Sequence, residues 1–274
     1  MLPHSCSPSE ILAAALAQAE RLQPGGDNGL IRAVVPLVTD LFEGRHPDYQ
    51  GIDLRYHSYQ HTLLATWCFI ELAAGRLRHD IAPPLTLREF ELGFTAIMLH
   101  DSGYLKLRSD TDGTGAKYTL SHILRSCALA ASVLPALGCD WDEINGVLGA
   151  IRCTGPTSKI GALSFNTPTE RMIGCMIATS DYLGQMADPH YVDKLDDLYR
   201  EFEEANDFNR VPSEKRMFAS AADLISRTPD FWHKFVLPML GRDYEGVYHW
   251  LADTPGAPNP YIEAVEANLR RIQS

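Results

Sequence analysis

Positive charge is scarce in this sequence. Lysine and arginine total 24 against 35 aspartates and glutamates, a formal net charge of -11 and a pI near 5.3. Nucleic acids and anionic membranes need basic patches, so an acidic chain argues against both as the main partner. A small anionic substrate in a locally positive pocket stays open. Long apolar runs are also missing. No stretch reaches 18 uninterrupted apolar residues, and no basic segment precedes an apolar one at the start, which predicts neither a membrane span nor a signal peptide. Cysteine occurs at 6, 68, 127, 139, 153 and 175, never with CxxC spacing. Cys68, Cys127 and Cys175 fall in apolar helical patterns, where a thiol behaves as a small hydrophobe. All six read as reduced, hence a cytoplasmic protein. Strand alternation, internal repeats, low-complexity tracts and a Gly/Ser linker are absent beyond fragments.

Helical signals fill what remains. Ser7-Pro8-Ser9-Glu10 has the spacing of a capping box and opens a helix to about Leu22. Further helices are expected from Leu30 to Phe42, from near His57 to Arg78, and from Thr86-Leu87-Arg88-Glu89 to His100. Residues 43–56 and 102–118 are rich in Gly and Asp and read as loops, the second long enough to suggest function. Helices follow at about 119–137, 141–152, 168–187, 189–205, 213–227, 230–240 and 260–272. The expected fold is one all-α domain over residues 1–274.

His100-Asp101 ends the apolar run Leu92–Leu99, where charge is costly without a partner. A metal ion is the simplest partner that would turn both side chains inward. Alternatively, His100 complements a helix dipole and Asp101 starts a turn. His57 and His61 are four apart, so on a helix they share a face. They would serve one metal, or be two unremarkable histidines. Asp181 lies among small and apolar residues, and periodicity leaves open whether it is buried or exposed.

Taken in order, these segments resemble the HD-domain superfamily of metal-dependent phosphohydrolases, whose pattern is His, then His-Asp, then a distant Asp, all on helices. The match falls on His61, His100-Asp101 and Asp181. It covers residues 50–187 as an HD-type core, with 188–274 as a helical extension that walls the pocket or makes a homo-oligomer contact. Tyr56-His57-Ser58-Tyr59-Gln60-His61 is similar to the first motif of cyclic-nucleotide phosphodiesterases, although Ser58 stands where that family has Asn. The resemblance implies His57 as general acid, Asp101 as both ligand and catalytic residue, and His122 as a ligand of a second metal. Residues 151–154 lack the further histidine of two-metal members, leaving Cys153 as a substitute. One tight divalent ion (Mn, Mg, Fe, Zn, Co or Ni) and a weaker second are therefore expected.

Such an ion lowers the pKa of its water towards about 7 in favourable sites. The expected reaction is hydrolysis of a small phosphorylated substrate, a nucleotide by preference. Residues 101–130 carry one more positive than negative charge, so Lys106, Lys117 and Arg125, with Arg152, are candidates for substrate phosphate. Solvated surface charge is the bland alternative. Asp110 to Gly115 mimics the start of a calcium loop, but Ser121 occupies the place of its bidentate Glu, which excludes that reading. The charged segment from Tyr191 to Glu204 reads as a solvated face. Two competing functions are a di-iron oxygenase and a non-catalytic metal- or nucleotide-binding regulatory module.

Overall fold

The computed structural model describes residues 2–155 and 158–273. The fold is all-α, with no strand among the described residues; one isolated bridge, Tyr49 with Leu107, joins two loops. Helix α1 runs over Pro8–Leu22, α2 over Gly29–Phe42, α3 over Tyr59–Arg78 and α4 over Leu87–Leu99. Helix α5 spans His122–Val133, α6 Trp141–Ile151, α7 Pro168–Met186 and α8 Leu195–Phe208. The C-terminal part holds α9, Ala221–Phe231, α10, Leu237–Arg242, and α11, Pro260–Gln273. No described helix is long and apolar enough to cross a membrane.

Helix starts follow local chemistry. Ser7 and Thr86 form capping boxes with Glu10 and Glu89, and Asp140 forms a third with Glu143. Each satisfies backbone N–H groups that a helix start leaves unpaired. Ser58 accepts from the His61 backbone N–H and so starts α3 two residues after His57. His57 therefore lies just outside the helix.

The C-terminal boundaries differ from expectation. Helix α8 starts at Leu195 rather than 189, because residues 188–194 turn on Asp188, whose carboxylate takes the His190 N–H and the Lys194 ammonium. Helix α9 starts at Ala221, capped by Ser220, while Arg216 is held by Glu203 and Asp207. Helix α9 runs on through residues 228–229, where a break was expected, and a wide π-turn, Trp232–Val236, carries it into α10.

One hydrophobic cluster contains residues from Cys6 to Leu269. Segments on both sides of residues 50–187 thus share its core. Helix α3 is buried nearly all round, which explains why its apolar residues show little one-sided pattern. The α3–α7 contact sets the site. A Cβ at Gly184 would lie 2.6 Å from Ala65 Cα, so the two backbones touch there. One turn back along each helix lie Asp181 and His61.

Candidate metal centre

Four side chains from three helices meet at one point. The Nε2 atoms of His61 and His100 are 3.4 Å apart. Asp101 Oδ2 lies 3.2 Å from His61 Nε2 and 3.3 Å from His100 Nε2. Asp181 Oδ1 lies 3.2 Å and 3.5 Å from the same two nitrogens. Donors about 2.0–2.2 Å from a common ion stand about 2.8–3.6 Å apart, from the octahedral to the tetrahedral edge. These five separations fall in that range, while the group whose donors are all mutually close is His61, His100 and Asp101. His61, His100 and Asp101 are buried, and their donor atoms form a group compact enough to hold a metal.

The hydrogen bonds around the cluster favour an ion over a closed protein network. His100 Nδ1 lies 2.7 Å from the Ile97 carbonyl, an acceptor only, so Nδ1 carries the proton and Nε2 presents a lone pair to the centre. Asp101 Oδ2 is buried and accepts no aligned hydrogen bond, although two imidazoles approach it. A buried carboxylate oxygen in that state calls for a cation.

Without a cation the cluster attracts protons instead. Burial disfavours charge on His61 and His100, but Asp101 and Asp181 outweigh it and raise both imidazoles above the usual histidine value, His100 strongly. Burial pushes the carboxyls of Asp101 and Asp181 up, while the two imidazoles more than reverse this and hold both below the ordinary carboxylate range.

His122 approaches from α5. Its Nδ1 lies 2.7 Å from the Thr119 carbonyl, and its Nε2 is 3.9 Å from Asp101 Oδ1, the oxygen that faces away from the four-donor group. Helix α5 comes this close because Gly103 has no side chain: a Cβ there would overlap the His122 carbonyl at 1.9 Å. Burial, opposed by Asp101, lowers the His122 pKa and favours the neutral imidazole.

His57 sits beside the cluster, its ring 6.0 Å from that of His61 and stacked on Tyr104 at 4.6 Å. Tyr104 stacks in turn on His122 at 4.5 Å. The Nδ1 of His57 is 2.6 Å from Glu201 Oε2, and the other Glu201 oxygen accepts from the Tyr56 backbone N–H at 2.8 Å. Glu201 lies on α8, in the segment expected to be a solvated face, and it is buried. Most of the other acids of the helix are half-buried, and its inner stripe carries Glu201 and Ala205 into the core. The i, i+4 spacing of Glu201 and Ala205 was the available signal.

The four basic candidates for substrate phosphate are not brought together at the cluster. The Lys106 ammonium is buried, 2.5 Å from the Gly113 carbonyl and 3.1 Å from Asp53 Oδ2. That of Lys117 is buried on Asp110 Oδ1 and the Asp112 carbonyl, each at 2.5 Å. Arg125 donates to the Gly103 and Leu105 carbonyls and lies over the Tyr118 ring. Arg152 is exposed at the end of α6, with Cys127 as its neighbour. The first three brace the 102–118 loop, whose backbone carbonyls need donors that a loop does not supply itself. Cys153 is not a ligand in this arrangement. Its thiol is buried, faces the Gly149 carbonyl at 3.3 Å, and has its pKa raised by burial.

A family model described as Npun_R2479-like matches residues 162–249. The matched stretch holds Asp181 and Glu201 but none of the histidines of the cluster. No curated protein matches the chain.

Proposed function

We propose that this protein is a metal-dependent phosphohydrolase or phosphodiesterase of the HD type, acting on a small phosphorylated molecule such as a nucleotide. The carrying observation is the compact donor group of His61, His100 and Asp101 around a buried, unsatisfied carboxylate oxygen, with Asp181 Oδ1 3.2 Å and 3.5 Å from the two imidazoles. Two imidazoles and two carboxylates would hold one divalent ion and leave its remaining positions open. When bound, that ion would acidify water and polarise a phosphoryl oxygen.

The chain's own residues supply the rest. His57 is the proposed proton donor to the leaving oxygen. Glu201 fixes its ring through Nδ1, leaving Nε2 as the nitrogen available to substrate, and Tyr104 holds the ring face. Asp181, with part of its side chain still accessible, is the carboxylate best placed to orient a water at the open side. Buried free thiols at all six cysteines suit a reducing cytoplasmic compartment.

The position of His122 near the second oxygen of Asp101 favours a weaker second ion bridged by that carboxylate. It also keeps the di-iron oxygenase as the competing activity. Elemental analysis paired with a phosphoester screen under Mn, Mg, Fe, Co and Ni separates them. Phosphate release that requires added metal and is lost in Asp101→Ala is the expected result. About two irons per chain with oxygen-dependent turnover, or tight ligand binding without turnover, overturns it.

A further inference from the structure

His61 has two ring nitrogens, and only one is accounted for by the cluster. Its Nε2 faces Asp101 and Asp181; its Nδ1 is buried and has no hydrogen-bond partner. A histidine that gives Nε2 to a metal carries its proton on Nδ1, and that N–H needs an acceptor to fix the ring. His100 and His122 each use a backbone carbonyl three residues earlier for this purpose. For His61 that carbonyl belongs to Ser58, at the helix cap, where it accepts the Thr62 N–H instead.

His61 also borders a small cleft of ≈ 10 Å³, whose lining includes Tyr56, Gln185, Asp188, Tyr191 and Lys194. Its lining mixes the apolar surfaces of Leu64 and Gly184 with the polar groups of His61, Gln185 and Asp188. Asp181, Gln185 and Asp188 are spaced i, i+4, i+7 and so form one stripe of α7 and its C-terminal turn. Asp181 meets the Nε2 side of His61, and the next two residues of the stripe line the cleft. The Gln185 side chain makes no hydrogen bond among the described residues, whereas Asp188 is anchored by Lys194 at 2.6 Å and by the His190 N–H at 2.9 Å.

We propose that this cleft is a built site for an ordered water that accepts the His61 Nδ1–H and donates to the Gln185 amide oxygen and the Asp188 carboxylate. Gln185 is thereby a positioning residue for a metal ligand, an inference that rests on the metal-centre reading above. Buried waters typically join two to four polar groups, and this cleft offers that number. A single helix, α7, then sets both ends of one imidazole: Asp181 beside Nε2 and Gln185 behind Nδ1.

The test is titration of Mn²⁺ into chelator-stripped full-length protein, with melting curves of the same metal-free samples. Gln185→Leu removes the acceptor at similar volume, and Gln185→Glu restores it. Gln185→Leu should weaken Mn²⁺ binding about 10–100-fold. Its metal-free melting temperature should match wild type, and Gln185→Glu should recover most of the affinity. Unchanged affinity in Gln185→Leu overturns the inference, as does a loss of affinity paralleled by loss of metal-free stability in both variants. A crystal structure of wild type with no solvent peak at His61 Nδ1 overturns it equally. Wild-type protein that binds none of the screened metals sinks the metal-centre reading itself, which keeps the two failures distinct.

Discussion

His57 and Glu201 are 144 residues apart in the chain and 2.6 Å apart in space. The contact ties the loop before α3 to α8, and it gives the proposed acid a fixed orientation. Glu201 also takes the Tyr56 N–H, so one carboxylate holds both the backbone and the ring of this short segment. The C-terminal extension is therefore part of the site.

Removing either partner should affect turnover without releasing metal. His57→Ala should lower kcat by about 10²–10⁴, the usual contribution of a positioned acid. Glu201→Gln keeps the shape and loses the charge, so a smaller fall of about tenfold or more in kcat is expected, with bound metal per chain unchanged. Steady-state kinetics with elemental analysis checks both. Loss of metal in either variant would place His57 among the ligands instead.

Metal binding should be pH-dependent in a defined sense. In the metal-free protein His61 and His100 hold protons more tightly than free histidine, while Asp101 and Asp181 are already ionised. An ion must displace the imidazole protons, so affinity rises with pH until both raised pKa values are passed, and binding releases protons. The metal-free ion pairs run the other way. The histidine contribution to stability is present below about pH 6.5 and fades as pH rises through the raised values; the carboxylate contribution is present above about pH 4 and is lost as pH falls. The melting-temperature gain on adding metal should therefore grow from pH 6 to pH 8. A gain that shrinks over this range contradicts the ligand set.

Gly184→Ala should separate α7 from α3. The new methyl would sit 2.6 Å from Ala65 Cα, a backbone atom that has no rotamer to yield. Overpacking of this kind costs about 1–3 kcal/mol. The displacement should also pull Asp181 from His61, so Mn²⁺ affinity should fall together with stability. Calorimetry of the variant measures both; full affinity with wild-type stability would mean the helices have slack.

Lys117→Met tests the loop role of the lysine. Lys117 neutralises Asp110, which also accepts from the Tyr118 hydroxyl, and these contacts lower the Asp110 carboxyl pKa. Asp110 keeps some solvent access, so leaving it without its lysine should cost about 1–3 kcal/mol rather than the larger penalty of a fully buried charge. The expected signature is a lower melting temperature with a largely unchanged Michaelis constant. A raised Michaelis constant at wild-type stability would restore Lys117 as a phosphate ligand.

The thiols should be inert until the protein unfolds. Burial, with some help from Glu10, pushes Cys6 up to about 11, and burial with Glu245 raises Cys175 to about 12. Alkylation at pH 8 should be slow in native protein and fast in denaturant. Since an unfolded thiol ionises near pH 8.5, stability should decline as pH rises above that value. Rapid labelling of Cys6 or Cys175 under native conditions would contradict the burial.

Much of the site was legible in residue order. His100-Asp101 closes an apolar helix, and a pair of that kind rarely turns inward without a partner; the structure does turn it inward, onto His61 and Asp181. The caps at Ser7 and Thr86 were equally visible, because capping is settled within four residues. The roles of Lys106, Lys117 and Arg125 were not. A lysine on a substrate phosphate and a lysine on loop carbonyls look alike in a sequence, and only the path of residues 102–118 separates them. Glu201 was hidden in a run of acids of unequal burial, since a helix's buried stripe depends on which neighbour it meets.

The sequence by itself determined where the capped helices α1 and α4 begin, that the run before His100 is buried, and which side chains could share a cation, because those follow from short-range hydrogen bonding and the cost of burying charge. Only the tertiary structure decided that α3 and α7 touch at Gly184, that Glu201 reaches His57, and that the basic loop residues serve the loop. Those are contacts between segments tens to more than a hundred residues apart, selected by packing that no local pattern encodes.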